Sequence, residues 1–118
     1  PYSYAWRTLK DAGARLVLAS DWPVSALNPL ISIEAAITRG VWKEGLPEQK
    51  LTLHEAIAGY TRDGAFAEFA ETRKGSLKEG MLADVVVLGR DLESCDPRAI
   101  KDVPVRCTIC DGKITYEA

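Results

Sequence analysis

Three kinds of side chain in these 118 residues could do chemistry: a thiol pair, a lone imidazole, and a carboxylate at the end of an apolar run. Cys107 and Cys110 form a C-x-x-C, a spacing found in zinc and redox sites. The residues around them, Val105–Cys110, read as a strand. Strand side chains alternate faces, so positions three apart point to opposite sides and cannot chelate one ion. Two sulfurs also fall short of the four ligands of a structural zinc. The pair reads as buried thiols, small apolar groups in a core. With Cys95 the cysteine count is odd, which argues against a secreted disulfide framework. His54 is the only histidine. It lies inside a helix-start motif, where a surface or helix-dipole role accounts for it. Asp21 follows Leu16-Val17-Leu18-Ala19-Ser20 and precedes Trp22-Pro23. Taken alone, a carboxylate at a strand end before Trp-Pro reads as a turn or cap residue.

The elements that position these groups can be read from local signals. Ser3 can cap a helix over Tyr4–Ala12, and Gly13 supplies a left-handed stop. The run from Arg15 to Ser20 has no polar alternation, which suits a strand buried on both faces in a parallel sheet. Asn28-Pro29 is a cap followed by proline at the first helical position, predicting a helix to about Arg39 with Gly40 beyond. Thr52-Leu53-His54-Glu55 is a capping box opening a helix to about Gly59. Thr61 is expected to cap a further helix to Glu71, with Ala65, Phe66, Phe69 and Ala70 as its apolar face. Trp6 and Trp42 are expected to pack helices.

After Lys74 the pattern turns to β. Gly75 and Gly80 are turn glycines, and Val85-Val86-Val87-Leu88 is a β-branched strand core. Asp111-Gly112, between Val105–Cys110 and Lys113–Glu117, signals a hairpin, since a type I′ turn needs positive φ at both positions. The boundary between the α/β part and the β part falls near Lys74, giving units 1–73 and 74–118.

An apolar share of 47% with 27% charged residues describes a globular chain. At this length it should bury roughly two-thirds of its unfolded surface. The net charge of −2, with basic residues scattered among acidic ones, leaves no stripe to track phosphates, so nucleic acid is not an expected partner. No apolar run approaches the ~20 residues that cross a bilayer, and a soluble, cytoplasmic protein is the expectation. Pro1 in place of Met is compatible with a chain that starts within a longer one.

Two segments resemble the amidohydrolase superfamily, in its amidohydrolase-3 branch. Leu16-Val17-Leu18-Ala19-Ser20-Asp21-Trp22-Pro23-Val24 is similar to that family's eighth barrel strand with its terminal S-D-W-P-V. The stretch from Gly75-Ser76-Leu77 through Gly80 and Ala83-Asp84 to Val85-Val86-Val87-Leu88 is similar to its G-S-L-x-x-G-x-x-A-D-x-V-V-L return from the barrel. The final hairpin through Thr108–Tyr116 resembles its closing strands. Arg62-Asp63 departs from the apolar–Asn pair more usual there.

The resemblance implies an α/β fold: the last βα portion of a (β/α)₈ TIM-like barrel, followed by part of a small β-sandwich. In that fold chemistry sits at the C-terminal ends of the strands. It implies a hydrolase acting on small molecules with an amide or other C–N bond. Asp21 would be both the catalytic proton shuttle and a metal ligand. A divalent metal, zinc by expectation, would be present in the full-length enzyme, where it lowers the pKa of its water to about 7. The family's other ligands, chiefly histidines from earlier strands, match nothing here, so no metal and no activity are expected of this segment alone. Trp22 is either barrel packing or a pocket wall. Ser20 and Asp84 are expected to be structural. Strands deprived of neighbours invite pairing, so a homo-oligomer is expected. A stand-alone, non-catalytic interaction module derived from such an enzyme is the alternative.

Overall fold

The computed structural model describes residues 3–118; Pro1 lies outside them. Four short helices come first: α1 (Trp6–Asp11), α2 (Pro29–Thr38), α3 (Leu53–Tyr60) and α4 (Arg62–Ala67). A three-stranded antiparallel sheet follows, β1 (Val85–Leu88), β2 (Val105–Cys110) and β3 (Lys113–Glu117), in the order β1-β2-β3. A 3₁₀ helix (Pro97–Asp102) interrupts the β part between β1 and β2. The architecture is mixed α/β with an open sheet, and the described residues close no barrel. None of the described helices is long and apolar enough to cross a membrane.

The helix starts follow their caps. The Asn28 side chain accepts from Leu30 N at 3.0 Å with Pro29 at the first turn. At α3, Glu55 N donates to Thr52 Oγ1 (3.2 Å) and Thr52 N to Glu55 Oε2 (2.8 Å), completing the box in both directions. α1 starts later than Ser3 implies: its N-cap is Ala5, with no side-chain cap bond. Thr61 also fails as a side-chain cap, because its hydroxyl donates back to the Ile57 carbonyl (2.8 Å). α4 ends at Ala67, well before Glu71, and Phe69 is 92% exposed instead of facing the core. Trp6 packs on the core, whereas Trp42 lies exposed in a loop.

The core is formed where α2 and α3 meet the 3₁₀ helix: Leu30, Ile33, Ala36, Leu51, Ala56, Ile100 and Val103. Glu34 bolts the same contact from outside. Its Oε2 accepts from Lys101 N (3.0 Å) and its Oε1 from Lys101 Nζ (2.9 Å). Both bonds favour the charged form, the backbone donor most strongly, and hold Glu34 below the usual carboxylate range.

The hairpin forms as the sequence requires. Asp111 (φ 49°) and Gly112 (φ 75°) are both left-handed. Asp84 Oδ1 accepts from Asp111 N (2.8 Å) and Gly112 N donates to the Ala83 carbonyl (3.1 Å), tying the turn to the approach to β1. The structural role expected of Asp84 is therefore visible. A register irregularity between Thr108 and Ile109 lies between the two C-x-x-C thiols, so strict face alternation does not carry across it. Cys107 is half-buried and Cys110 exposed, so the buried-thiol expectation fails for Cys110.

The strand expected over Arg15–Ser20 does not form. Residues 14–20 run without secondary structure; Leu16 and Leu18 turn in against the core, while Val17 and Ala19 face out. A strand needs a ladder, and the described residues provide no neighbouring strand, so only one face is covered. The consequence is visible in the whole molecule. Its accessible surface is 8366 Å², against about 6,300 Å² for a compact chain of this mass. Burial on folding is about 55%, short of the two-thirds expected. The radius of gyration is 15.3 Å, against about 13.5 Å for a compact fold.

A lone carboxylate at the end of an apolar run

Asp21 stands where the extended segment breaks. Its own φ is 50°, in the left-handed region that Asp tolerates better than most side chains. The turn after it, across a cis Trp22–Pro23 bond, is closed by backbone alone, Val24 N donating to the Asp21 carbonyl at 2.8 Å. This geometry bears on the turn-or-cap reading. Side chains that act as caps accept backbone donors: Asn28 from Leu30, Asp84 from Asp111, Asp91 from Glu93, and Asp96 from Arg98. Among the described residues, the Asp21 carboxylate accepts none, and it is exposed. Trp22 beside it is 64% exposed. Ser20 is half-buried.

The segment leading to Asp21 is held by α3. Leu18 N donates to the Gly59 carbonyl at 3.1 Å, and Leu16 and Leu18 pack against the core. Gly59 makes this approach possible: a Cβ there would lie 2.9 Å from Leu18 Cγ and 3.3 Å from Leu18 Cδ1. Asp63, buried to 5% exposure, pairs with Arg15 at the start of the same segment. Neither Gly59 nor the Asp63 pairing was legible in the sequence. A glycine one residue before a helix end and an acid in a helix first turn are ordinary there, and their meaning depends on a tertiary neighbour.

The other candidates stay apart from Asp21. His54 is 78% exposed in its side chain and faces Glu93 at 3.5 Å, as a surface histidine does. Among the described residues, no group of three or more His, Cys, Asp or Glu could hold a metal ion. Asp21 therefore offers at most one ligand where a catalytic site needs at least three from protein, and these residues by themselves do not fit a resident metal. A recess of about 790 Å³ opens between the helices and the sheet, lined by Leu30, Ile57, Tyr60, Leu77, Val86 and others, and Asp21 is not part of it.

The model of the family described as "Amidohydrolase family" matches residues 1–116. The chain is 38% identical over 119 residues to Protein LONG AFTER FAR-RED 3 of Arabidopsis thaliana, covering 97% of this chain and 20% of that protein. It is 32% identical over 113 residues to N-substituted formamide deformylase of Arthrobacter pascens, covering 94% of this chain and 21% of that one. The chain thus spans about a fifth of the length of these curated relatives. The fold is shared with an amidohydrolase from Thermotoga maritima MSB8, at a TM-score of 0.70 and 22% identity, over 98% of this chain and 26% of that one. With the family model matching residues 1–116, nearly its whole length, the chain belongs to the amidohydrolase family.

Proposed function

We propose that this chain is the C-terminal part of a hydrolase that cleaves an amide or other C–N bond of a small molecule, with Asp21 as its proton-transfer carboxylate. The observation that carries the reading is the idle side chain. Asp21 occupies a left-handed backbone position at the end of a segment anchored on the core, and its carboxylate accepts no backbone donor among the described residues. A left-handed aspartate occurs at functional sites as well as in turns, and the free carboxylate leaves Asp21 available for chemistry. In this role one Asp21 oxygen takes a proton from the water that attacks the carbonyl carbon. It returns that proton to the leaving nitrogen as the C–N bond breaks. Asp21 is also a ligand of a divalent metal, zinc in this proposal, held mainly by residues outside this segment. The name of one relative, an N-substituted formamide deformylase, is in keeping with C–N chemistry.

In this reading residues 1–73 belong to the barrel and 74–118 to a composite β-sandwich, and the segment alone is inactive. The test compares the full-length enzyme with the 118-residue chain on a panel of N-formyl and N-acyl amines. Amine release is expected from the full-length enzyme alone. Release by the short chain, or none by the full-length enzyme from any member, would contradict the reading.

For the 118-residue chain by itself, a second element of the proposal is association between copies, because the surface that the rest of the barrel and sandwich would cover is open in it. About 2,000 Å² beyond that of a compact monomer, counted on one chain, exceeds the ~800 Å² per partner of a standard interface. The sheet contributes Val86, Val87, Ile114 and Tyr116, each about half exposed. Sedimentation equilibrium at micromolar concentration is expected to show a dimer or larger species; a folded monomer would refute it.

A further inference from the structure

We infer that Asp111 is a modification site, where the backbone rearranges spontaneously to isoaspartate, and that Asp84 restrains the rearrangement. This inference is independent of the role proposed for Asp21. It rests on bonds formed within the 118 residues and is tested on them.

The chemistry is that of an Asp-Gly pair. The glycine nitrogen attacks Cγ of the protonated aspartic acid, the N–H proton is lost, and one water leaves as a succinimide ring closes. Water then reopens the ring at either carbonyl. One opening restores aspartate; the other gives isoaspartate, in which the main chain runs through Cβ. No oxidant or cofactor is consumed, and glycine has no side chain to shield its nitrogen.

The chain holds two such pairs, Asp63-Gly64 and Asp111-Gly112, in opposite surroundings. Asp63 is 5% exposed in the first turn of α4, between Arg15 and Arg62. Burial in a helix closes that pair. Asp111 and Gly112 form the exposed tip of the β2–β3 hairpin, where glycine after aspartate is what the type I′ turn favours. The residue pair best suited to the turn is thus also the one most open to the reaction.

Two hydrogen bonds from the approach to β1 close this second pair, one on each of its nitrogens. Asp111 N donates to Asp84 Oδ1 (2.8 Å) and Gly112 N to the Ala83 carbonyl (3.1 Å). Gly112 N is the attacking atom. While its N–H is donated to Ala83, the proton stays in place and the peptide plane is held in the turn. Hairpin tips open locally at small cost in free energy, so the reaction runs through the opened turn, and Asp84 sets how often it opens. Isoaspartate adds one atom to the main chain of the turn, which ends the two-residue geometry and with it the register of β2 on β3.

The experiment uses the 118-residue chain as parent, Asp84→Ala and Asp84→Asn, incubated in mildly acidic buffer with and without guanidinium chloride. Isoaspartate is counted at each site by peptide mapping with electron-transfer fragmentation, which separates the two isomers. In denaturant both sites should convert at similar rates. Without it, Asp111 should convert at least ~10-fold more slowly than in denaturant, as a turn that is closed most of the time requires, and Asp63 more slowly still. Asp84→Ala should speed conversion at Asp111 by roughly 3- to 10-fold, the population effect of one hydrogen bond of ordinary net strength, with Asp63 unchanged. Asp84→Asn keeps an oxygen acceptor in the same place and should stay within about twofold of the parent. Conversion at Asp111 as fast without denaturant as with it, or faster at Asp63 than at Asp111, would overturn the assignment of the site. Asp84→Ala at the parent rate, or Asp84→Asn as fast as Asp84→Ala, would overturn restraint through this hydrogen bond. A rise at both sites together in Asp84→Ala would mean that Asp84 acts on the whole fold, and would overturn its assignment to this turn.

Discussion

Gly75 and Gly80 look alike in the motif Gly75-Ser76-Leu77-Lys78-Glu79-Gly80, and both have positive φ, at 90° and 85°. Their surroundings differ. A Cβ on Gly80 meets nothing within 4 Å, whereas one on Gly75 would lie 2.7 Å from Ala65 Cβ, 2.9 Å from Arg62 Cα and 3.2 Å from the Thr61 carbonyl oxygen. None of those atoms is the end of a side chain that could rotate away. Alanine at either site carries a left-handed penalty of roughly 1–2 kcal/mol. A more restricted unfolded chain offsets about 0.4–1 kcal/mol of it. Gly75→Ala alone adds overpacking against the first turn of α4, about 1–3 kcal/mol. The expected losses are about 1 kcal/mol for Gly80→Ala and about 3 kcal/mol for Gly75→Ala. With urea slopes of about 1–3 kcal/mol/M, the two midpoints should separate by roughly 1 M in equilibrium unfolding followed by circular dichroism. Coincident midpoints would refute the close approach of this turn to α4.

Ile100→Ala should be the most damaging of the simple core truncations, because Ile100 is 1% exposed at the contact of the 3₁₀ helix with α2. A loss of about 2–5 kcal/mol is expected in the same urea assay. The pairing of Glu34 with Lys101 gives stability an acid limb. A carboxyl held below its unfolded value contributes fully above that value and loses the contribution as pH falls through the folded one. The urea midpoint should therefore decline from about pH 5 downward, and Glu34→Gln should flatten the decline, with an unchanged slope in the variant counting against the pairing.

Signals that close within one turn of chain were legible. The Thr52–Glu55 box and the Asp111-Gly112 turn both satisfy their own donors or dihedrals locally, and both form as read. The comparison of α1 with α4 shows where legibility stops. Both helices end with the same reciprocal bonds: Ala14 N to Leu9 O and Gly13 N to Lys10 O in one, Ala70 N to Ala65 O and Phe69 N to Phe66 O in the other. At α1 the left-handed residue is Gly13, which announces the stop. At α4 it is Phe69, at φ 57°, a residue type that gives no such signal, so the sequence pattern runs on through it to Glu71. The apolar run before Asp21 reads as a buried strand, yet no strand forms there, because a ladder needs neighbours and the described residues provide none. Asp21 itself was ambiguous, because a turn aspartate and a catalytic one look the same until the hydrogen bonds of the turn are known.

The role of Asp21 is tested most directly by Asp21→Asn in the full-length enzyme, with turnover of an N-acyl or N-formyl substrate, metal content and thermal unfolding measured on one preparation. Asparagine keeps the shape and one oxygen but is not a base, and the carboxylate makes no hydrogen bond to lose among the described residues. The prediction is a kcat at least ~10²-fold lower, with the fold intact and most of the metal retained. Turnover within about threefold of the parent, a small fraction of an acid–base contribution, would show that Asp21 is not the proton-transfer group.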